Sequence, residues 1–242
     1  MSAATKSSIV KNVYKLNDFI YSFELMVEES FPFKAGQYGS IFMDTVQTRP
    51  FSIASSPKKC LDKKIIRFII GPHPDGVAEG FIKNLKIGDS VNYRAPFGIF
   101  TLENTIPDYM TKDFSNLSLV FVATSTGIAP IVAMIEHLCD IQFKGKVVLY
   151  FGMRKSEDRM MEDEFVEIKQ KLNFEYYISL SQEENINPEE KNVFKGYVSD
   201  PLLARQNKDD YFYICGSTKN VSAISEKLND NGIQNIFFEN YG

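Results

Sequence analysis

Between two apolar runs the chain reads Arg49-Pro50-Phe51-Ser52-Ile53, which sets a fixed cation, an aromatic face and a hydroxyl within four residues. A guanidinium presents a planar fork of donors that suits a phosphate. An aromatic ring suits a flat heterocycle, and a small hydroxyl can hydrogen-bond a ring nitrogen. On an extended chain Arg49 and Phe51 point one way and Ser52 the other, unless the chain turns. These are parts for holding a dinucleotide with a flat redox ring. They would equally make an ordinary strand carrying a surface Arg. A second stretch, Thr124-Ser125-Thr126-Gly127-Ile128-Ala129-Pro130, is a small-residue loop between an apolar run and a helical pattern. There a phosphate could approach backbone N–H groups and the positive end of a helix dipole. Pro130 suits a first helical turn, where its missing N–H costs nothing. With one Gly this is not a GxGxxG fingerprint, and a plain tight turn is the alternative. Cys215-Gly216-Ser217 and Phe151-Gly152-Met153-Arg154 stand at the same kind of position, where ligands of open α/β sheets bind.

Composition narrows the chemistry. A net charge of −4 over 242 residues gives no basic footprint for nucleic acid. No apolar run approaches the ~20 residues of a membrane span, and the N-terminus carries no signal-peptide apolar core, so a cytoplasmic location is expected. Cys60, Cys139 and Cys215 are far apart, which suggests neither a disulfide framework nor a zinc knuckle nor an iron–sulfur cluster. With two histidines, His73 and His137, a histidine-based metal site is not expected either. A redox centre would therefore be an organic cofactor.

These residues need two kinds of scaffold. Up to about residue 103 the chain shows short strand patterns: alternation through Phe19, Tyr21, Phe23, Leu25 and Val27, then 40–43, 65–70 and 91–94. A short helix over 77–85 and turn chemistry at Gly71-Pro72-His73-Pro74-Asp75-Gly76 interrupt them. That pattern predicts a small antiparallel β-barrel. Residues 104–116 are polar and aperiodic, and a domain boundary is expected there. From 117 onward strands (119–123, 146–151, 174–180, 211–215, 236–238) alternate with helices (128–138, 162–172, 221–228), which predicts a parallel α/β sheet. The expected division is 1–103, a linker over 104–116, and 117–242.

The motifs, taken in order, resemble those of the ferredoxin–NADP reductase-like superfamily. Arg49-Pro50-Phe51-Ser52 is similar to its flavin-binding Arg-x-Tyr/Phe-Ser, preceded by Gly36-Gln37-Tyr38. Leu85-Lys86-Ile87-Gly88-Asp89 with Ala95-Pro96-Phe97-Gly98, Ser125 to Pro130, Tyr213-Ile214-Cys215-Gly216 and Phe238-Glu239-Asn240-Tyr241 follow in family order and cover nearly the whole chain.

The resemblance implies a flavin-binding barrel, an FAD cofactor and a second domain for NAD(P)H. It implies that Arg49 pairs with the FAD pyrophosphate, that Phe51 lies against the isoalloxazine, and that Ser52 sits near the nitrogen receiving hydride, with Pro50 and Ile53 completing the stretch. Gly76 and the backbone N–H groups of Val77, Ala78 and Glu79 would help to hold the pyrophosphate, although Glu79 stands where relatives often carry a Ser or Thr. Thr126, Gly127, Cys215 and Gly216 would surround the nicotinamide. Tyr241 is expected to cover the flavin face that nicotinamide uses, and Cys215 to pack and position. Ser181 and Gln182 would meet the adenosine end. Gln182 replaces the Arg that grips the extra phosphate in NADP-dependent relatives, and Glu183 and Glu184 follow, so NADH is expected over NADPH. Arg154, which follows another strand end, could reach the same extra phosphate and favour NADPH instead, with Lys155 adding to it. The implied reaction passes electrons from NAD(P)H through flavin to a separate acceptor. A small acidic carrier, ferredoxin or flavodoxin, is one candidate, steered by a basic cluster of Lys58, Lys59, Lys63, Lys64 and Arg67. A free flavin reductase and a non-catalytic flavin-binding regulator are the alternatives.

Overall fold

Alternating apolar side chains in the first half form six strands in the computed structural model, which describes residues 4–205 and 207–241. β1 (Lys6–Lys15), β2 (Tyr21–Met26), β3 (Tyr38–Phe42), β4 (Thr48–Ser52), β5 (Ile65–Ile70) and β6 (Ser90–Phe97) pair antiparallel in the order β4-β3-β6-β1-β2-β5. A bridge between Ile53 and Phe68, and the bond from Ala54 N to Arg67 O (2.7 Å), tie the exit of β4 to β5 at the far end of that order. Phe23, Leu25, Ile41, Ile53, Ile66 and Phe68 fill the interior, with Phe23 and Phe68 stacked 5.4 Å apart. Each such side chain contributes up to about 1.5–3 kcal/mol of burial. The alternation in β2 is incomplete: Glu24 is buried too, because Asn12 and Lys59 both donate to it.

Two helices interrupt the strands. α1 (Pro57–Lys63) follows an N-cap Ser56, whose hydroxyl accepts from Lys59 N, with Pro57 in the first turn. α2 (Val77–Asn84) follows Gly76. α1 corrects the reading of Lys58 to Arg67 as one exposed basic cluster. Lys58 pairs with Asp62 within the helix, and Lys59 reaches Glu24 at 2.8 Å. Arg67, on the strand beyond, is 8% exposed and held by Glu136 and Glu164. Three of the five cations are thus paired with carboxylates, which leaves Lys63 and Lys64 exposed.

The second half begins with α3 (Leu102–Thr105), after which Ile106, Tyr109 and Phe114 bury in the core of the next layer. β7 (Ser118–Thr124), α4 (Ile128–Asp140), β8 (Lys146–Met153), α5 (Glu162–Lys169) and β9 (Asn173–Leu180) follow. The remaining elements are β10 (Val193–Lys195), α6 (Ser199–Leu203), β11 (Tyr211–Ser217), α7 (Thr218–Asp230) and β12 (Ile236–Tyr241). The strands pair parallel in the order β10-β9-β8-β7-β11-β12. Apolar residues of α4 and α5 cover one face, and those of α6 and α7 the other. The chain runs outward from β7 to β10, then returns to lay β11 on β7's other side. That reversal opens a crevice at the carboxyl ends of β7 and β11. Among the described residues no helix is long and apolar enough to cross a membrane.

Candidate functional site

The crevice at the switch point faces the end of β4 across a cleft of about 660 Å³. Arg49, Pro50, Phe51 and Ser52 line it from the barrel side, with Tyr38 from β3. Gly71 to His73 and Gly76, Val77 and Ala78 line it from the turn before α2 and that helix's start. Thr126 and Ala129 come from the β7–α4 connection, and Glu239, Asn240 and Tyr241 from the end of β12. The two motifs singled out first in the sequence are thus brought to one space by the two sheets.

The barrel wall suits an anion and a flat ring. Arg49 is exposed and donates to the Thr48 carbonyl at 2.9 Å and to Gln47 at 3.5 Å, and among the described residues no carboxylate pairs with it. The N-terminus of α2 carries no side-chain cap, so its first N–H groups stay available to a ligand. Glu79 does not intrude. Its carboxylate accepts from Lys83 at 2.6 Å and from Asp75 N at 2.7 Å, which hold it below the usual carboxylate range. Gly71 is tight: a Cβ there would stand 2.7 Å from the Thr126 methyl. Ile53 is fully buried in the barrel core, so its side chain shapes the wall from behind.

The opposite wall is built from close backbone approaches. Ser125–Gly127 make a single 3-10 turn, and a Cβ at Gly127 would lie 2.2 Å from the Cys215 carbonyl oxygen. Cys215 itself is 1% exposed, beneath that turn. Burial first, and then Glu239, push its thiol far above the ordinary range, so it is a packing residue and not a thiolate. A Cβ at Gly216 would meet the Thr124 hydroxyl at 2.2 Å, and Asn220 donates to that same hydroxyl at 3.2 Å.

Glu239, absent from the sequence-derived candidates though its segment was noted, joins the two walls. The Ser52 hydroxyl donates to its carboxylate at 3.5 Å, across 187 residues of chain. Burial pushes the Glu239 carboxyl up to about 7, against an opposing pull from Ser52. Tyr241 is 40% exposed, but its hydroxyl is pinned: it donates to the Thr124 carbonyl at 3.1 Å and accepts from Thr126 at 3.0 Å. The ring stands at the cleft with its polar end fixed to the far wall.

Arg154, Ser181 and Gln182 form a second group, at the carboxyl ends of β8 and β9. Ser181 N donates to the Met153 carbonyl (3.0 Å) and Gln182 N to the Arg154 carbonyl (2.7 Å), lacing the two strand ends together. The Arg154 guanidinium lies 4.9 Å from the Phe19 ring and donates to Asp158 at 3.3 Å. Glu183 accepts from Ser156 N at 2.8 Å, so a carboxylate sits between the two loops.

Comparison with known proteins agrees with this geometry. Residues 121–226 match the family described as "Oxidoreductase NAD-binding domain". The reductase component of propane 2-monooxygenase from Gordonia sp. (strain TY-5) is 26% identical over 90% of this chain and 62% of its own length. The reductase component of phenol 2-monooxygenase from Pseudomonas sp. (strain CF600) is 28% identical over 96% of this chain and 64% of its own. The chain spans about three fifths of the length of the curated relatives it matches. Among solved structures, a cytochrome P450 reductase from Amycolatopsis superposes with a TM-score of 0.85 at 22% identity, over 99% of this chain and 71% of that one. A ferredoxin NADP+ reductase from Neisseria gonorrhoeae with bound FAD and NADP gives 0.80 at 19% identity, over 98% and 99%. The barrel and the doubly covered parallel sheet give this chain the two-domain fold of the ferredoxin–NADP reductase-like proteins, and residues 121–226 an oxidoreductase NAD-binding domain.

Proposed function

We propose that this chain is a flavin-dependent NAD(P)H oxidoreductase that holds FAD in the cleft and passes electrons to a separate acceptor. The observation that carries this reading is the convergence of Arg49, Phe51 and Ser52 with Thr126, Glu239 and Tyr241 on one cleft. In the proposed arrangement residues 1–103 hold the flavin, 117–242 hold the nucleotide and 104–116 join them. Arg49 and the N–H groups of Val77 and Ala78 grip the pyrophosphate, and Phe51 backs the ring. Ser52 and Glu239 stand at the reacting edge, and Thr126, Gly127, Cys215 and Gly216 shape the nicotinamide pocket. Tyr241 occupies the nicotinamide's side of the ring and swings aside for it. When bound, the flavin would supply the redox chemistry, the two-electron uptake of a hydride from NAD(P)H with release of NAD(P)+ and onward transfer of the electrons to the acceptor. The protein contributes position and electrostatics.

The fit of FAD rests on an Arg that no carboxylate pairs with among the described residues and on an uncapped helix start, both lining one cleft as a two-part site for a pyrophosphate. NADH is the preferred donor in this proposal, because Glu183 sits between the strand-end loops while Arg154 is occupied by Asp158 and Phe19. The acceptor belongs to a separate protein, a reading supported by relatives named as reductase or electron-transfer components of oxygenases. In this proposal the acceptor is a small carrier, ferredoxin or flavodoxin, in the cytoplasm. Release of the cofactor and its mass identify it. FAD is expected, and a colourless protein that neither FAD nor FMN reconstitutes would end the flavin reading.

A further inference from the structure

Arg67 is buried, and each of its three guanidinium nitrogens is hydrogen-bonded. Nε donates to the Ala54 carbonyl at 2.8 Å, Nη1 to both Glu164 oxygens at 3.0 and 2.9 Å, and Nη2 to Glu136 at 3.2 Å. Its backbone N–H donates to the Ser55 hydroxyl at 3.1 Å. Glu136 returns to the same segment, accepting from Ser56 N at 2.8 Å. Two ends of this knot lead into the cleft. Ala54 to Ser56 continue directly from β4, which carries Arg49 to Ser52. Glu136 lies on α4, whose first residues and preceding turn give Ala129 and Thr126 to the opposite wall. The planar fork of a guanidinium holds direction as well as distance, and here its three nitrogens reach three separate segments.

We propose that Arg67 is a positioning residue for hydride transfer: it locks the β4 exit to α4 and α5, and so fixes the spacing between the flavin wall and the nicotinamide wall. This rests on the function proposed above. A buried ion cluster of this kind is a weak source of stability, because desolvating its charges offsets most of their attraction, and an apolar replacement of similar volume often folds as well. What such a replacement removes is the directional tie. Hydride transfer is sensitive to that, since reacting atoms must approach to about 3–3.5 Å and a 1 Å misplacement costs about a hundredfold.

The test compares FAD-loaded wild type, R67K, and the triple variant R67M/E136M/E164L by anaerobic stopped-flow with NADH. The triple variant is expected to keep its affinities for FAD and NADH within about threefold while the limiting reduction rate falls at least about tenfold. R67K, which keeps the charge without the fork, is expected to fall between. A triple variant that binds and is reduced as fast as wild type overturns the proposal. Should it fail to fold, R67K decides: slower reduction at unchanged affinities supports the proposal, and an unchanged rate overturns it. Spin labels at K11C and K208C in a C139S background give a readout independent of turnover. The distance distribution is expected to broaden in the triple variant, or in R67K where the triple does not fold, and a width equal to that of the labelled parent overturns the proposal. If wild type itself is not reduced by NADH, the function reading fails while the label distances still report on the lock.

Discussion

Ser125 and Gly127 occupy one turn and should respond to substitution in opposite directions. Ser125 has a backbone φ of 52°, in the left-handed region, and an exposed side chain. Holding a non-glycine residue there costs roughly 1–2 kcal/mol. Ser125→Gly removes that cost but frees the unfolded chain, which returns about 0.4–1 kcal/mol. The net expectation is a gain of about 0.5–1 kcal/mol, or a Tm higher by about 1–4 °C for a chain of this size. Gly127 is ordinary in φ but has no room. An added Cβ would stand 2.2 Å from Cys215 O and 2.6 Å from Cys215 C, both backbone atoms of a central strand. Gly127→Ala must therefore move the turn, at a cost of about 3 kcal/mol or more, which lowers Tm by about 6–12 °C. Because Thr126 lies between them, Gly127→Ala should also weaken NADH binding, whereas Ser125→Gly should leave it within about twofold. Scanning calorimetry and a nucleotide titration read both effects. A neutral Gly127→Ala, or a Ser125→Gly that lowers Tm, would refute the packing described for this turn.

Three further outcomes follow from the cleft. Arg49→Ala should weaken FAD binding to apo-protein about ten- to a hundredfold, the worth of a charge-assisted bond to phosphate, while Ser52→Ala mainly slows reduction; equal affinities for wild type and Arg49→Ala would show Arg49 to be misassigned. Wild type should favour NADH in kcat/KM by roughly ten- to a hundredfold at fixed low ionic strength, and Gln182→Arg with Glu183→Ser should shift the ratio at least about tenfold toward NADPH. Unchanged ratios would place the adenosine elsewhere. Glu239, with its carboxyl near 7, is neutral below that pH and charged above it; the charged form opposes arrival of a hydride, so the reduction rate should fall as pH rises through about 7, and Glu239→Gln should flatten that profile.

The sequence was most legible where periodicity was long. The helix at Ile128 and the strands at Leu119, Lys146, Phe174 and Tyr211 stand within a few residues of their expected places, because buried parallel strands are continuous apolar runs and α4 carries a broad apolar face. β10 and α6, three and five residues long, are too short to show a period in the sequence. α1 has a helix start in Ser56-Pro57 but only seven residues and one buried side chain, Cys60, so it shows no apolar period in the sequence. Arg67 looked like one more surface cation, and its partners Glu136 and Glu164 lie 69 and 97 residues away, with no local pattern linking them. Glu239 is similar: its acid was visible, but its 3.5 Å approach to Ser52 exists only once both sheets are formed. Arg49, Phe51 and Ser52 were legible because a strand holds their chemistry in consecutive residues.

The central claim is that the two walls of this cleft bring NADH and flavin together. Mixing FAD-loaded protein with NADH under anaerobic conditions and following the visible flavin absorbance tests it most directly. Bleaching of the full bound-flavin amplitude is expected, slowed by Ser52→Ala and largely lost where Arg49→Ala releases the cofactor. An FAD-loaded protein that binds NADH yet keeps its oxidised spectrum would contradict it.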